Sequence, residues 1–119
     1  MRTQRRPAKL VGLIMTTAAV LATQAGTGLT AAEARGQAPI TDENLQALRR
    51  CESSGNYRAS TGNGYYGAYQ FSVRTWRSLG YGGLPSRAPA EVQDQAAIRL
   101  AQRDGWRAWP ACSRRIGLR

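Results

Sequence analysis

Thr41-Asp-Glu-Asn-Leu-Gln-Ala-Leu-Arg-Arg-Cys-Glu-Ser-Ser-Gly55 reads as one amphipathic helix that ends on a carboxylate. Thr41 is a good N-cap, Asp42 and Glu43 fill the first turn, and Arg49 and Arg50 fill the last, the charge order a helix dipole favours. Leu45, Leu48 and Glu52 recur at spacings of three and four and so share a face. Ser53-Ser54-Gly55 stops the helix. Glu52 therefore stands at the inner edge of an apolar stripe, near the negative end of the dipole. Both effects disfavour its charged form, so its pKa is expected to rise, as a general acid requires. The plain alternative is that Glu52 pairs with an arginine.

Downstream lies Asn56-Tyr-Arg-Ala-Ser-Thr-Gly-Asn-Gly-Tyr-Tyr-Gly-Ala-Tyr-Gln-Phe71. Gly62-Asn63-Gly64 supplies the positive backbone angles of a tight hairpin turn with aromatic residues on its flanks. Strand alternation puts Tyr66, Ala68 and Gln70 on one side and Tyr65, Gly67, Tyr69 and Phe71 on the other. One side can pack while the other lines a groove in which tyrosines meet sugar rings, although each tyrosine suits an ordinary core equally well. Ser72 caps a short helix, Val73 to Leu79, ended by Gly80. Gly80 to Ser86 is an irregular loop. Pro89 opens a last helix to about Asp104 with Gly105 as its C-cap, and Val92, Ala96 and Leu100 form its stripe, widened by Ala97 and Ala101. Trp106 and Trp109 are expected to cover the core beside Cys112, with sugar stacking as the alternative.

Outward in the other direction, Met1 to Lys9 is basic, Leu10 to Ala22 is apolar, and small residues follow. That is the order of a secretory signal, expected over residues 1–34 with cleavage between 25 and 34. The apolar run is shorter than the ~20 residues of a membrane span. Residues 35–40 read as a linker, 41–113 as the domain and 114–119 as a basic tail. The domain is small, so a staple is expected, and Cys51 and Cys112 supply one: in an exported protein two cysteines read as a disulfide. Two free buried thiols are the alternative.

Basic residues outnumber acidic ones 17 to 7, and 16 of the 17 are Arg. Such a surface attracts polyanions of any kind. Export argues against a nucleic-acid partner, and the arginines are spread over every segment instead of forming a basic amphipathic helix for a membrane. The chain has no His. This excludes histidine triads and His-ligated metals, and two cysteines cannot make a thiolate zinc site, so no metal or cofactor is expected. The fold class implied is α+β, mainly helical, with a short β-hairpin and one disulfide; a monomer is expected.

Cys51-Glu-Ser-Ser-Gly-Asn56, Thr61-Gly-Asn-Gly-Tyr-Tyr-Gly67, Gln70-Phe71, Thr75-Trp76 and Gly105-Trp106 through Trp109-Pro-Ala-Cys112 occur in one order. Together, over about residues 42–113, they resemble the catalytic domain of the resuscitation-promoting factors, transglycosylase-like proteins of actinobacteria. The resemblance implies a small lysozyme-like fold, secretion to the cell wall, a Cys51–Cys112 disulfide, and cleavage of peptidoglycan glycan strands. The family's catalytic glutamate directly follows its first cysteine, here Glu52. Its substrate-contacting threonine falls on Thr75, and Gln70 and Tyr65 line its groove. Members are linked to regrowth from dormancy and can cooperate with a peptidoglycan endopeptidase. Three positions depart from the pattern: Leu45 where Trp is usual, Ser54 where Gly is commoner, and Tyr69 where a smaller aliphatic is usual. Each is expected to alter the cleft.

Apart from Glu52, the carboxylates beyond residue 34 are Asp42, Glu43, Glu91, Asp94 and Asp104. None of these lies in the glycine-tyrosine segment. A glycoside hydrolase normally uses two carboxylates, so a single-acid route to an anhydro sugar fits this sequence better than hydrolysis. A non-catalytic module that binds wall glycan is the leading alternative, and a cationic secreted peptide is the third.

Overall fold

The computed structural model describes Gly28 and residues 36–119. The expected signal segment, residues 1–34, lies outside the described residues, Gly28 apart. Helix α1 spans Asp42–Ser53. A two-stranded antiparallel sheet follows, β1 (Tyr65–Tyr66) and β2 (Phe71–Ser72). Then come α2 (Val73–Ser78), a 3-10 turn at Pro85–Arg87, α3 (Ala90–Asp104), a second 3-10 turn at Trp106–Ala108, and α4 (Pro110–Arg115). This is the expected α+β architecture dominated by helix. No helix among the described residues is long and apolar enough to cross a membrane.

The first helix forms as its sequence dictates. Thr41 Oγ1 accepts from the Asn44 amide at 3.1 Å, which satisfies one of the donors a helix start leaves open. Ser54 ends the helix in the left-handed conformation, and the Ser54 and Gly55 amides donate to Arg50 O and Arg49 O. Leu45 and Leu48 are buried. They enter a core dominated by aromatic rings: Phe71 lies 5.3 Å from Trp76 and 5.9 Å from Tyr69, and Trp106 lies 6.1 Å from Trp109. Ala96, Ala97, Leu100 and Ala101 of α3 complete it, and the three small alanines let the helix approach closely.

The hairpin departs from expectation. Gly62 and Gly64 do take positive φ, but only a single bridge, Ser60 to Tyr66, spans their turn. The β1–β2 ladder, with Tyr65 opposite Ser72 and Tyr66 opposite Phe71, reverses at residues 67–70 instead. There Gly67 and Gln70 both have positive φ, 79° and 54°. Gly67 is held against Gln93, whose Oε1 occupies the space a Cβ would need. The turn breaks the side-to-side alternation, so Ala68 and Tyr69 are both fully buried. Gln93 organises this region from within: its Oε1 accepts from the Ala68 amide, and its Nε2 donates to Tyr57 O and Ala88 O.

The helix at Pro89 is not the last. Pro110 starts α4, where a missing N–H costs nothing. Residues 114–119, read from sequence as a basic tail, finish that helix and fold back onto the domain. Leu118 is buried and bonds through its backbone to Ser113 and to Ala38. Arg119 donates to Ser113 Oγ and Pro110 O. The segment read as a linker is likewise clamped at Ala38, whose carbonyl accepts from Trp106 Nε1 at 2.6 Å.

Candidate active site

Glu52 lies in the last turn of α1, one residue after Cys51, and Cys51 is bonded to Cys112 on α4. The disulfide sets the end of α1 against α4, and a groove opens between these helices and the hairpin. One half of it, about 420 Å³, is lined by Glu52, Asn63, Tyr65, Gln70, Trp109 and Pro110, among others. The other half, about 130 Å³, is lined by Thr75 and Ser72 of the α2 start, with Phe71 and Leu100 behind them. Tyr65, Gln70, Ala108 and Trp109 belong to both halves, so the two form one cleft. The four residues singled out from sequence, Glu52, Thr75, Gln70 and Tyr65, all border it. Strand alternation alone puts Tyr65 and Gln70 on opposite sides; the turn at residues 67–70 brings them together.

Burial of the Glu52 carboxyl raises its pKa above the ordinary value, and the Arg115 guanidinium opposes that shift. Desolvation of the charged form is the larger effect. Arg115 was not foreseen. It sits three residues beyond Cys112, one turn along α4, a helix whose first residues read in sequence as a closing segment. No other carboxylate lines either half of the cleft among the described residues.

Each remaining lining group is held in place. Gln70 keeps a left-handed backbone, rare for a side chain of its size, and its Nε2 donates to Gly67 O at 3.0 Å. Thr75 exchanges bonds with Ser72, through its amide at 3.1 Å and its hydroxyl at 3.0 Å. Tyr65 is 51% exposed and presents an open ring at the cleft edge. Trp109 forms the floor, with Nε1 donating to Tyr69 O at 2.9 Å. Trp106 takes no part: it is 1% exposed and tied to Ala38, which excludes it from sugar stacking. Asn63 and the Ala108–Ala111 stretch border the cleft too. Asn63 was legible only as a turn residue.

None of the three departures from the family pattern lines the cleft; Ser54 is the C-cap of α1 and belongs to neither half. Leu45 is 2% exposed and lines neither half. Tyr69 is fully buried, its hydroxyl donating to Asp94 at 2.6 Å and accepting from Arg49 at 2.8 Å. Tyr57 also donates to Asp94, at 2.8 Å. Leu45 and Tyr69 are thus core and core-edge groups, and Tyr69 reaches the cleft only through the Phe71 and Trp109 rings packed on it. Burial, then the Asp94 carboxylate, pushes the Tyr57 phenol up to about 12 and the Tyr69 phenol higher still.

The transglycosylase-like domain family matches residues 40–112. The chain is 38% identical over 104 residues to the resuscitation-promoting factor Rpf of Micrococcus luteus, which covers 86% of this chain and 46% of that protein. It is 44% identical over 72 residues to RpfE of Mycobacterium tuberculosis, covering 60% of this chain and 42% of that one. The chain thus spans less than half the length of these two relatives. Over 114 residues it is 37% identical to RpfD of Mycobacterium tuberculosis, covering 94% of this chain and 71% of that protein. A cleft that gathers Glu52, Thr75, Gln70 and Tyr65, a disulfide beside the glutamate, and these matches lead to one conclusion: the chain belongs to the resuscitation-promoting factors, the family of the transglycosylase-like domain.

Proposed function

We propose that the chain is an exported enzyme that cleaves the β-1,4 bond between N-acetylmuramic acid and N-acetylglucosamine in peptidoglycan, with Glu52 as its acid and base. The observation that carries this reading is a half-buried carboxyl facing a sugar-sized cleft with no second carboxylate on its walls among the described residues. Inverting and retaining hydrolysis both call for two. Glu52 protonates the glycosidic oxygen as the C1–O bond breaks. The resulting carboxylate then accepts the proton of the muramic acid C6 hydroxyl as that oxygen bonds to C1. The products are a free 4-hydroxyl on the departing sugar and a 1,6-anhydro end, and Glu52 is protonated again. Thr75 and Gln70 hydrogen-bond the glycan, and the Tyr65 ring covers a sugar face.

Residues 1–34 act in this reading as the export signal, which delivers the enzyme to the wall, where its activity serves remodelling and regrowth. The test is digestion of purified peptidoglycan followed by mass analysis of the soluble fragments. Anhydro ends support the route above, and reducing ends redirect it to a muramidase that uses water. If the wild type binds the wall but releases nothing, the chain is a glycan-binding module instead.

A further inference from the structure

A second cavity, about 770 Å³, shares no lining residue with the cleft. It lies between the segment joining α1 to β1 and the loop leading into α3. Arg58 and Ser60 line it from the first, Ser86 and Arg87 from the second, with Tyr57 and Ala90 between them. No carboxylate lines it; Glu91, one residue past Ala90, is outside the wall.

The four polar side chains here are uncommitted. Arg58 bonds only through its backbone amide, to Asn56 Oδ1, and Arg87 only through its own, to Leu84 O. Neither guanidinium has an ion-pair partner among the described residues. The Ser60 and Ser86 hydroxyls likewise make no bond among those residues. Arg49, Arg103 and Arg119 are engaged, respectively with Tyr69 and Asp94, with Asp104 and Ser78, and with Ser113. Arg77 and Arg114 are as free as Arg58 and Arg87 among the described residues, and what sets the latter two apart is that they line one cavity. The Tyr57 hydroxyl is turned to Asp94, so this residue offers the cavity its ring. Two guanidinium forks and two hydroxyls, arriving from two segments, suit an anion with oxygens in several directions. A phosphodiester offers a fork two terminal oxygens, as a carboxylate does, and its bridging ester oxygens add acceptors out of that plane for the serine hydroxyls.

We propose that this cavity binds phosphodiester groups of an anionic polymer borne on the wall, and so holds the enzyme beside its glycan. The proposal rests on the wall-cleaving reading for its setting, but its test does not. The full chain is titrated calorimetrically, at fixed salt, with poly(glycerol phosphate) and separately with poly-L-glutamate. The Arg58→Ala/Arg87→Ala double variant is expected to bind poly(glycerol phosphate) roughly tenfold more weakly. The Arg77→Ala/Arg114→Ala control, which removes the same charge from exposed arginines elsewhere, should lose less than about threefold. Equal losses in both doubles would overturn the site in favour of diffuse charge. Equal binding of poly-L-glutamate with the same dependence on Arg58 and Arg87 would overturn the phosphodiester in favour of a carboxylate polymer. Fragment release from whole wall that retains its phosphodiester polymers is scored in parallel. A wild type inactive there defeats the wall-cleaving reading, while the titration still decides the cavity.

Discussion

At the scale of single residues, two positions on one helix end show function and stability pulling apart. Burial raises the pKa of Glu52, so the folded state holds the protonated form more readily than the unfolded chain does. The sign follows: the stability tied to this group is full below the ordinary carboxylate range and is lost as pH rises through the raised pKa. Glu52→Gln is therefore expected to raise the melting temperature at pH 7 and to leave it unchanged at pH 3, while cutting glycan cleavage by about 10²–10⁴-fold. Calorimetry at both pH values and a fragment-release assay check this; equal melting shifts at both would sink the buried-acid account. The basic limb of the wild-type rate profile should fall where Glu52 ionises. Because Arg115 opposes the shift, Arg115→Ala should move that limb to higher pH. Two residues on, Ser54 holds φ 56° and ψ 29°, a conformation that costs a side chain about 1–2 kcal/mol and glycine nothing. Ser54→Gly is expected to gain about 0.5–1 kcal/mol in urea unfolding, net of the entropy glycine adds to the unfolded chain, with turnover unaltered.

Among the elements, α1 and the 67–70 turn carry two of the departures from the family pattern and bring both into one core cluster. Leu45 and Arg49 are one turn apart on α1, so they share a face. The Tyr69 hydroxyl bonds Arg49 on that face, and both Leu45 and Tyr69 belong to one core cluster. A small residue where the family has a large one thus stands with a large residue where the family has a smaller one. Leu45→Trp alone should overpack the core and cost about 1–3 kcal/mol. Tyr69→Leu alone should cost about as much, by leaving Arg49 and Asp94 short of a partner. Combined, they should cost less than the sum, a coupling measurable in a double-mutant cycle by urea unfolding. Simple additivity would refute the exchange. The same elements mark what was legible in sequence. Helix α1 was, because its cap, charge order and apolar spacing agree. So was α3, from Pro89 to Gly105. The hairpin register was not, since the deciding contact is Gly67 against Gln93, 26 residues away, and glutamine carries no sign of burial. Nor was α4, although Pro110 is a valid helix start, because its six residues are too few for a periodicity to emerge.

For the molecule as a whole, the cleft is a joint between segments far apart in the chain. Glu52 comes from α1, and Pro110 and Ala111 come from α4, with the hairpin closing the side. The Cys51–Cys112 bond, separated by 61 residues in sequence, ties the first two beside the reacting centre. In the chain-entropy account such a loop is worth about 4 kcal/mol. A domain of this size commonly has a total of about 5–15 kcal/mol, so its loss is a large fraction. Melting should then fall by roughly 15–30 °C for Cys51→Ser/Cys112→Ser, taking about 4–8 °C per kcal/mol. The loss should exceed any effect on activity measured well below the new melting point, provided that packing of Leu48, Phe71 and Trp109 keeps the helix ends in register. The comparison to make is therefore two-fold: melting temperature, and fragment release at a temperature where circular dichroism shows both proteins folded. If cleavage disappears while the variant remains folded, the bond positions the acid as well as stabilising the fold. An unchanged melting temperature would contradict the stapled-core picture itself, since the aromatic cluster would then suffice to hold so small a domain.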